Sequence, residues 1–140
     1  MPDARALARF VDAQTSTYGT ALAELRRGEK TGHWMWFVFP QIAGLGRSPT
    51  AQLYAIADLA EARAYLAHPV LGPRLVEAVE AINALPGHDA HAVFGAPDDL
   101  KLRSSLTLFQ AAAPDEPAFS QALDKYFAGE ADPLTLARLG

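Results

Sequence analysis

Cysteine is absent from this chain. That excludes a disulfide framework and any zinc site built on thiolates, and nothing calls for an oxidising compartment. Long apolar runs are absent as well. The longest, Trp34 to Phe39, is six residues, against the roughly 20 that a membrane helix needs. The amino-terminal stretch carries Asp3 and Arg5 and no apolar core of signal-peptide length, so the expectation is a cytoplasmic protein. Positive charge is in short supply. The 12 Lys and Arg against 16 Asp and Glu leave a net charge of −4, which argues against general binding to nucleic acid or anionic membranes. The dinucleotide fingerprint, the P-loop and the Gly-x-Ser-x-Gly elbow do not occur. No repeat, low-complexity tract or long linker divides the 140 residues, so one domain spanning 1–140 is expected.

What is present centres on His33–Gln41, a stretch that holds both tryptophans. Its apolar run is too short for periodicity to separate strand from helix. β-Branched and aromatic content favours a strand; helical surroundings favour one or two buried turns. Pro40 ends any helix there. Two readings stand side by side. In one, the stretch is core, and His33 and Gln41 satisfy nearby backbone groups. In the other it is a pocket wall, with indole rings for stacking and His33 and Gln41 as orienting groups.

Helical spacing and caps organise the rest. Asp3 is placed to cap a helix over 4–13, and a second is expected over 16–27 after the Thr15–Thr17 break, with Gly28 as its C-terminal cap. Ile42–Pro49 reads as a loop. Pro49 can open a short helix over 50–57, and Asp58 with Glu61 forms a capping box for 59–67. Leu71–Leu85 is strongly periodic and stops at Pro86-Gly87. Asp89 caps a short helix to Phe94, Asp98 caps 99–112, and Pro117–Ala128 is amphipathic. Asp132-Pro133 is a strong start for a last helix over 134–139. Many helices and short turns without alternating strands predict an all-α, multi-helical orthogonal bundle.

Four kinds of chemistry have candidates. His88 and His91 lie three apart, too few ligands to predict a metal. Ser48, Ser104 and Ser105 lack the elbow of a serine nucleophile. Among carboxylates Glu24 stands out, close in sequence to Gly28 and His33, and a candidate catalytic group with His33. Asp98 and Asp99 read as cap charges. Finally, Lys101, Ser104 and Ser105 share a helix face, Thr107 follows, and Lys30 can add charge. Such a set suits a phosphate or carboxylate, although a solvated face with back-bonded serines explains it equally.

The blocks Arg9-Phe10-Val11-Asp12-Ala13-Gln14, His33 through Gln41 with Gly44-Leu45-Gly46, and Lys101-Leu102-Arg103-Ser104-Ser105 through Thr107-Leu108-Phe109 resemble family 1810 of the domains of unknown function, small bacterial proteins of which some carry the name calpastatin. His68-Pro69-Val70-Leu71-Gly72 and Asp132-Pro133 with Thr135-Leu136 fit the same pattern. The resemblance implies an all-α fold and marks Gln14, His33, Gln41, Lys101, Ser104 and Thr107 as site candidates; it implies no activity. The order of helices is also faintly similar to small proteins that process ADP-ribose derivatives.

The resulting expectation is a protein that binds a nucleotide-like or phosphorylated small molecule, without metal or cofactor. Trp34 or Trp36 would stack on a ring. Lys30, Lys101, Ser104 and Thr107 would hold an anionic group, and Gln14 and Gln41 would give specificity. An enzymatic version would hydrolyse an N-glycosidic bond, with Glu24 stabilising positive charge on the sugar and His33 moving a proton. The alternative is a protein-interaction module without chemistry.

Overall fold

Caps decide where most helices begin and end. The structure, a computed structural model, describes the backbone of residues 4–139 and side chains from Ala6; the proposed Asp3 cap lies outside the described residues. The elements are α1 (Ala4–Gln14), α2 (Tyr18–Arg27), α3 (Met35–Val38), α4 (Pro49–Leu53), α5 (Leu59–Ala67), α6 (Leu71–Asn83), α7 (Ala90–Phe94), α8 (Asp98–Ala112), α9 (Pro117–Phe127) and α10 (Pro133–Leu139). Gly28 closes α2 in the left-handed region, φ 79°, where only glycine sits without cost. Asp58 accepts the Glu61 amide at 2.8 Å, and the Glu61 carboxylate reaches back to the Ala57 amide at 3.0 Å. Asp89 caps α7 through the Ala92 amide, and Asp132 caps α10 through the Thr135 amide.

The all-α expectation holds: among the described residues helices are joined only by one isolated parallel bridge, Ile42 to Ile56. The Trp-rich stretch, open between strand and helix in the sequence, is one helical turn. The bridge explains one departure from the sequence-based boundaries. The helix expected over 50–57 stops at Leu53, because Ile56 runs extended beside Ile42. Ile56 donates to the Gln41 carbonyl and accepts from the Ala43 amide, each at 2.8 Å. A second departure is at α8, where Asp98 is the first helical residue rather than the cap.

Helix α8 runs through the centre, packed by α5, α7, α9 and α10, while α6 packs on α9, α5 and α2. Every side chain from Ser104 to Phe109 is therefore buried. A line of aromatic contacts knits the core: Phe10 to Tyr65, Tyr65 to Phe109 and Phe109 to Phe119, with ring centroids 5.2 to 6.0 Å apart. No helix among the described residues is long and apolar enough to cross a membrane.

Candidate functional site

The turn after α2 is wound around one carboxylate. Glu24 Oε1 accepts the amides of Thr31 at 2.7 Å and Gly32 at 2.9 Å, and the indole N–H of Trp34 at 3.0 Å. Burial by itself would raise the Glu24 pKa; the bonds from Gly32, Thr31 and Trp34 outweigh it and bring it down to about 2. Glu24 is 3% exposed and Trp34 is 1% exposed. Neither lines the cleft described below. Their burial does not fit the expected stacking role of Trp34 or catalytic role of Glu24; together they form one structural unit that sets the path of residues 31–34.

From that unit a ladder of charges and rings leads outward. The Lys30 ammonium lies 5.0 Å from the Trp34 ring centroid and 2.7 Å from Asp98 Oδ2. Asp98 Oδ1 is 3.5 Å from the Lys101 ammonium, which stands 4.8 Å from the Trp36 ring centroid. The two rings are thus joined through two lysines and one aspartate. Two ammonium groups share one carboxylate, so one positive charge is uncompensated within the ladder. The inner lysine is nearly enclosed, its side chain 6% exposed, while that of Lys101 is 26% exposed. The free charge therefore faces outward at Lys101, where cation–π attraction to Trp36 helps hold it.

Lys101 and Trp36 line a cleft with Gln41, Ile42, Gly46 and Tyr54. Its enclosed part is about 10 Å³, room for one water; anything larger must lie across the mouth. Trp36 and Gln41 are half-buried, and the Gln41 side chain makes no hydrogen bond among the described residues. The surrounding chain is one-sided in charge. From Lys30 to Ala57 there is no Asp or Glu, only Lys30, His33 and Arg47, in a protein of net charge −4. The structure thus brings together Trp36, Gln41 and Lys101 of the expected set, with Lys30 behind them through Asp98.

The other candidates lie elsewhere. Gln14 is 1% exposed; its amide donates to the Phe37 carbonyl at 2.6 Å and the Tyr65 hydroxyl at 3.1 Å, which ties α1 to the turn holding Trp36. Ser104 donates to Asp132 Oδ2 at 2.9 Å. Thr107 donates to the Arg103 carbonyl and accepts the Asp132 amide at 2.9 Å. The face expected to hold a foreign anion instead holds the protein's own Asp132. That carboxyl is buried enough to raise its pKa, yet the bonds from Thr135 and Ser104 lower it overall. His33 is exposed and outside the cleft lining.

Asp98 and Tyr54 were missed as site residues. The Asp98-x-x-Lys101 spacing was a usable signal, since three residues along a helix place side chains together. Nothing marked Tyr54, which reaches the cleft because α4 folds back against Phe37, with ring centroids 5.4 Å apart.

Over residues 4–139 the chain matches the model of a family described as a protein of unknown function, DUF1810. It is similar to the crystal structure of the conserved hypothetical protein Rv1873 from Mycobacterium tuberculosis, with 51% sequence identity over 95% of each chain and a TM-score of 0.93. No curated protein matches it.

Proposed function

Because the chain belongs to DUF1810, a family of unknown function, we propose a function from the cleft itself: the protein binds a small anionic molecule of the nucleotide or sugar-phosphate class. The observation that carries this is the convergence of an outward-facing ammonium, an aromatic face and an unbonded amide at Lys101, Trp36 and Gln41. The anionic group sits against Lys101 in the uncompensated charge of the ladder. A flat part of the ligand lies along Trp36, and Gln41 offers both a donor and an acceptor. The absence of carboxylates from residues 30 to 57 removes repulsion from the approach. The role proposed is binding; Glu24, with three protein donors on one oxygen, is assigned to hold the turn rather than to react.

A thermal-shift series with inorganic phosphate, adenosine monophosphate, ADP-ribose and ribose 5-phosphate tests this. A ligand at about 100 times its dissociation constant should add roughly 2.7 kcal/mol of stability. Lys101→Ala should abolish that gain and change the unliganded stability little, because Asp98 keeps its nearer partner Lys30 at 2.7 Å. Stabilisation unchanged in Lys101→Ala, or none at tens of millimolar, would contradict the proposal.

A second reading rests on different residues. Leu100 is 61% exposed, Leu134 66% and Leu136 48%, on α8 and α10, which pack together. These exposed leucines offer apolar contacts to a protein partner, and Leu134→Asp would weaken such a complex without touching anion binding.

A further inference from the structure

The loop that walls the cleft is held from outside by the last helix. Its start is tied down by the Ile42–Ile56 bridge, and its end enters α4 through the Ser48 cap, which accepts the Ala51 amide at 3.1 Å. Between these ties, the backbone of Gly44 to Gly46 receives one hydrogen bond among the described residues. It comes from Arg138 Nη2 to the Gly44 carbonyl, at 3.4 Å. The guanidinium also fills the space beside Gly44: a Cβ built there would be 2.5 Å from Arg138 Cζ. Gly44 has φ 97°, a conformation that glycine adopts freely.

Arg138 reaches this point because α10 is docked on α8 by polar bonds. Asp132 takes Ser104 and Thr135 on one oxygen, its amide rests on Thr107, and Arg103 holds the carbonyls of Glu130 and Ala131 at 2.8 and 2.9 Å. Thr135 alone is buried along α10. A short helix that buries so little apolar surface opens locally at low cost, so the tie it carries is a yielding one.

We propose that Arg138 is a positioning residue of the cleft: it holds the loop 42–48 in place and so sets how open the face of Trp36 is. The functional meaning rests on the anion-binding reading above; the mechanical coupling does not. Loss of Arg138 frees Gly44 to Gly46, and the part of the wall formed by Gly46 moves away from Lys101 and Trp36, while Ile42 stays on its bridge.

Hydrogen exchange and acrylamide quenching on the full chain, without ligand, test the coupling. In Arg138→Ala, the Ala43 amide, which donates to the Ile56 carbonyl beside the freed loop, should exchange about threefold faster, as expected for the loss of one exposed bond, and those of α6 should be unchanged. Quenching of Trp36 should rise about twofold, with Trp36→Phe providing the Trp34 background. Arg138→Lys should restore part of the protection. Equal Trp36 quenching and equal Ala43 exchange in wild type and Arg138→Ala would overturn the proposal, and so would faster exchange that extends equally to α6. Phosphate titration of the same variants separates the two ideas. A loop effect without phosphate binding refutes only the anion reading, and phosphate binding without a loop effect refutes only the role of Arg138.

Discussion

Glu24→Ala is expected to lower the unfolding free energy by about 3 kcal/mol, because it strands the buried Trp34 indole and takes the acceptor from two partly buried amides. The Trp34 indole and the amides of Thr31 and Gly32 all converge on one Glu24 oxygen, and Trp34 is 1% exposed, so water cannot readily replace the carboxylate. Chemical denaturation at pH 7 measures this. The charge has its own signature. The folded pKa of about 2 lies below the ordinary 4.5, so the contribution, on the order of 3 kcal/mol, is complete above about pH 5. It is lost as pH falls through 4.5 towards 2. Glu24→Gln keeps the shape and one acceptor but carries no charge. The stability gap between wild type and Glu24→Gln should therefore be widest at pH 7 and fall to under half of that by pH 3. A cost below about 1 kcal/mol for Glu24→Ala would mean that the turn is held by something else.

The second large effect is steric. A Cβ on Gly72 would lie 2.0 Å from the carbonyl oxygen of Leu66 and 2.9 Å from its carbonyl carbon. Backbone cannot swing aside as a side chain can, so α5 and α6 must separate where they now pack. Gly72→Ala should cost about 3 kcal/mol or more and lower the melting temperature by roughly 10 °C. Gly19, in α2, has nothing within 4 Å of the same position. Gly19→Ala should be neutral or stabilising, by about 0.5–1 kcal/mol, since alanine loses less backbone freedom in a helix. Thermal unfolding of the two variants side by side checks both; a smaller loss for Gly72→Ala than for Gly19→Ala would contradict the packing described here.

These two glycines show where sequence reasoning stops. Both sit in helical patterns, and only the approach of Leu66 distinguishes them. Cap chemistry was legible because it is local: Asp58, Asp89, Asp132 and Gly28 act on amides or carbonyls a few residues away. The Trp-rich stretch was ambiguous because its apolar run has no periodicity, and its one turn is fixed by the distant partners Gln14 and Glu24. The serine face of α8 was misleading for a related reason. Polar spacing showed that Lys101, Ser104 and Ser105 share a face, but it could not show that α10 covers most of that face and brings its own anion. Asp98 had been read as a cap, since Asp before a helix most often is one. Its partner Lys30 lies far back in the chain, and only the fold brings the two together.

In the proposed site, Trp36 and Lys101 meet one ligand and Trp34 does not. The two indole N–H groups give separate signals in a nitrogen–proton correlation spectrum, so titration with adenosine monophosphate and inorganic phosphate tests the claim directly. The account predicts that the Trp36 indole and the Gln41 side-chain amide shift with saturation, that the Trp34 indole, bonded to Glu24, stays in place, and that Lys101→Ala removes the response. Shifts centred on Trp34 or His33, shifts that persist in Lys101→Ala, or no shifts at tens of millimolar ligand would contradict it.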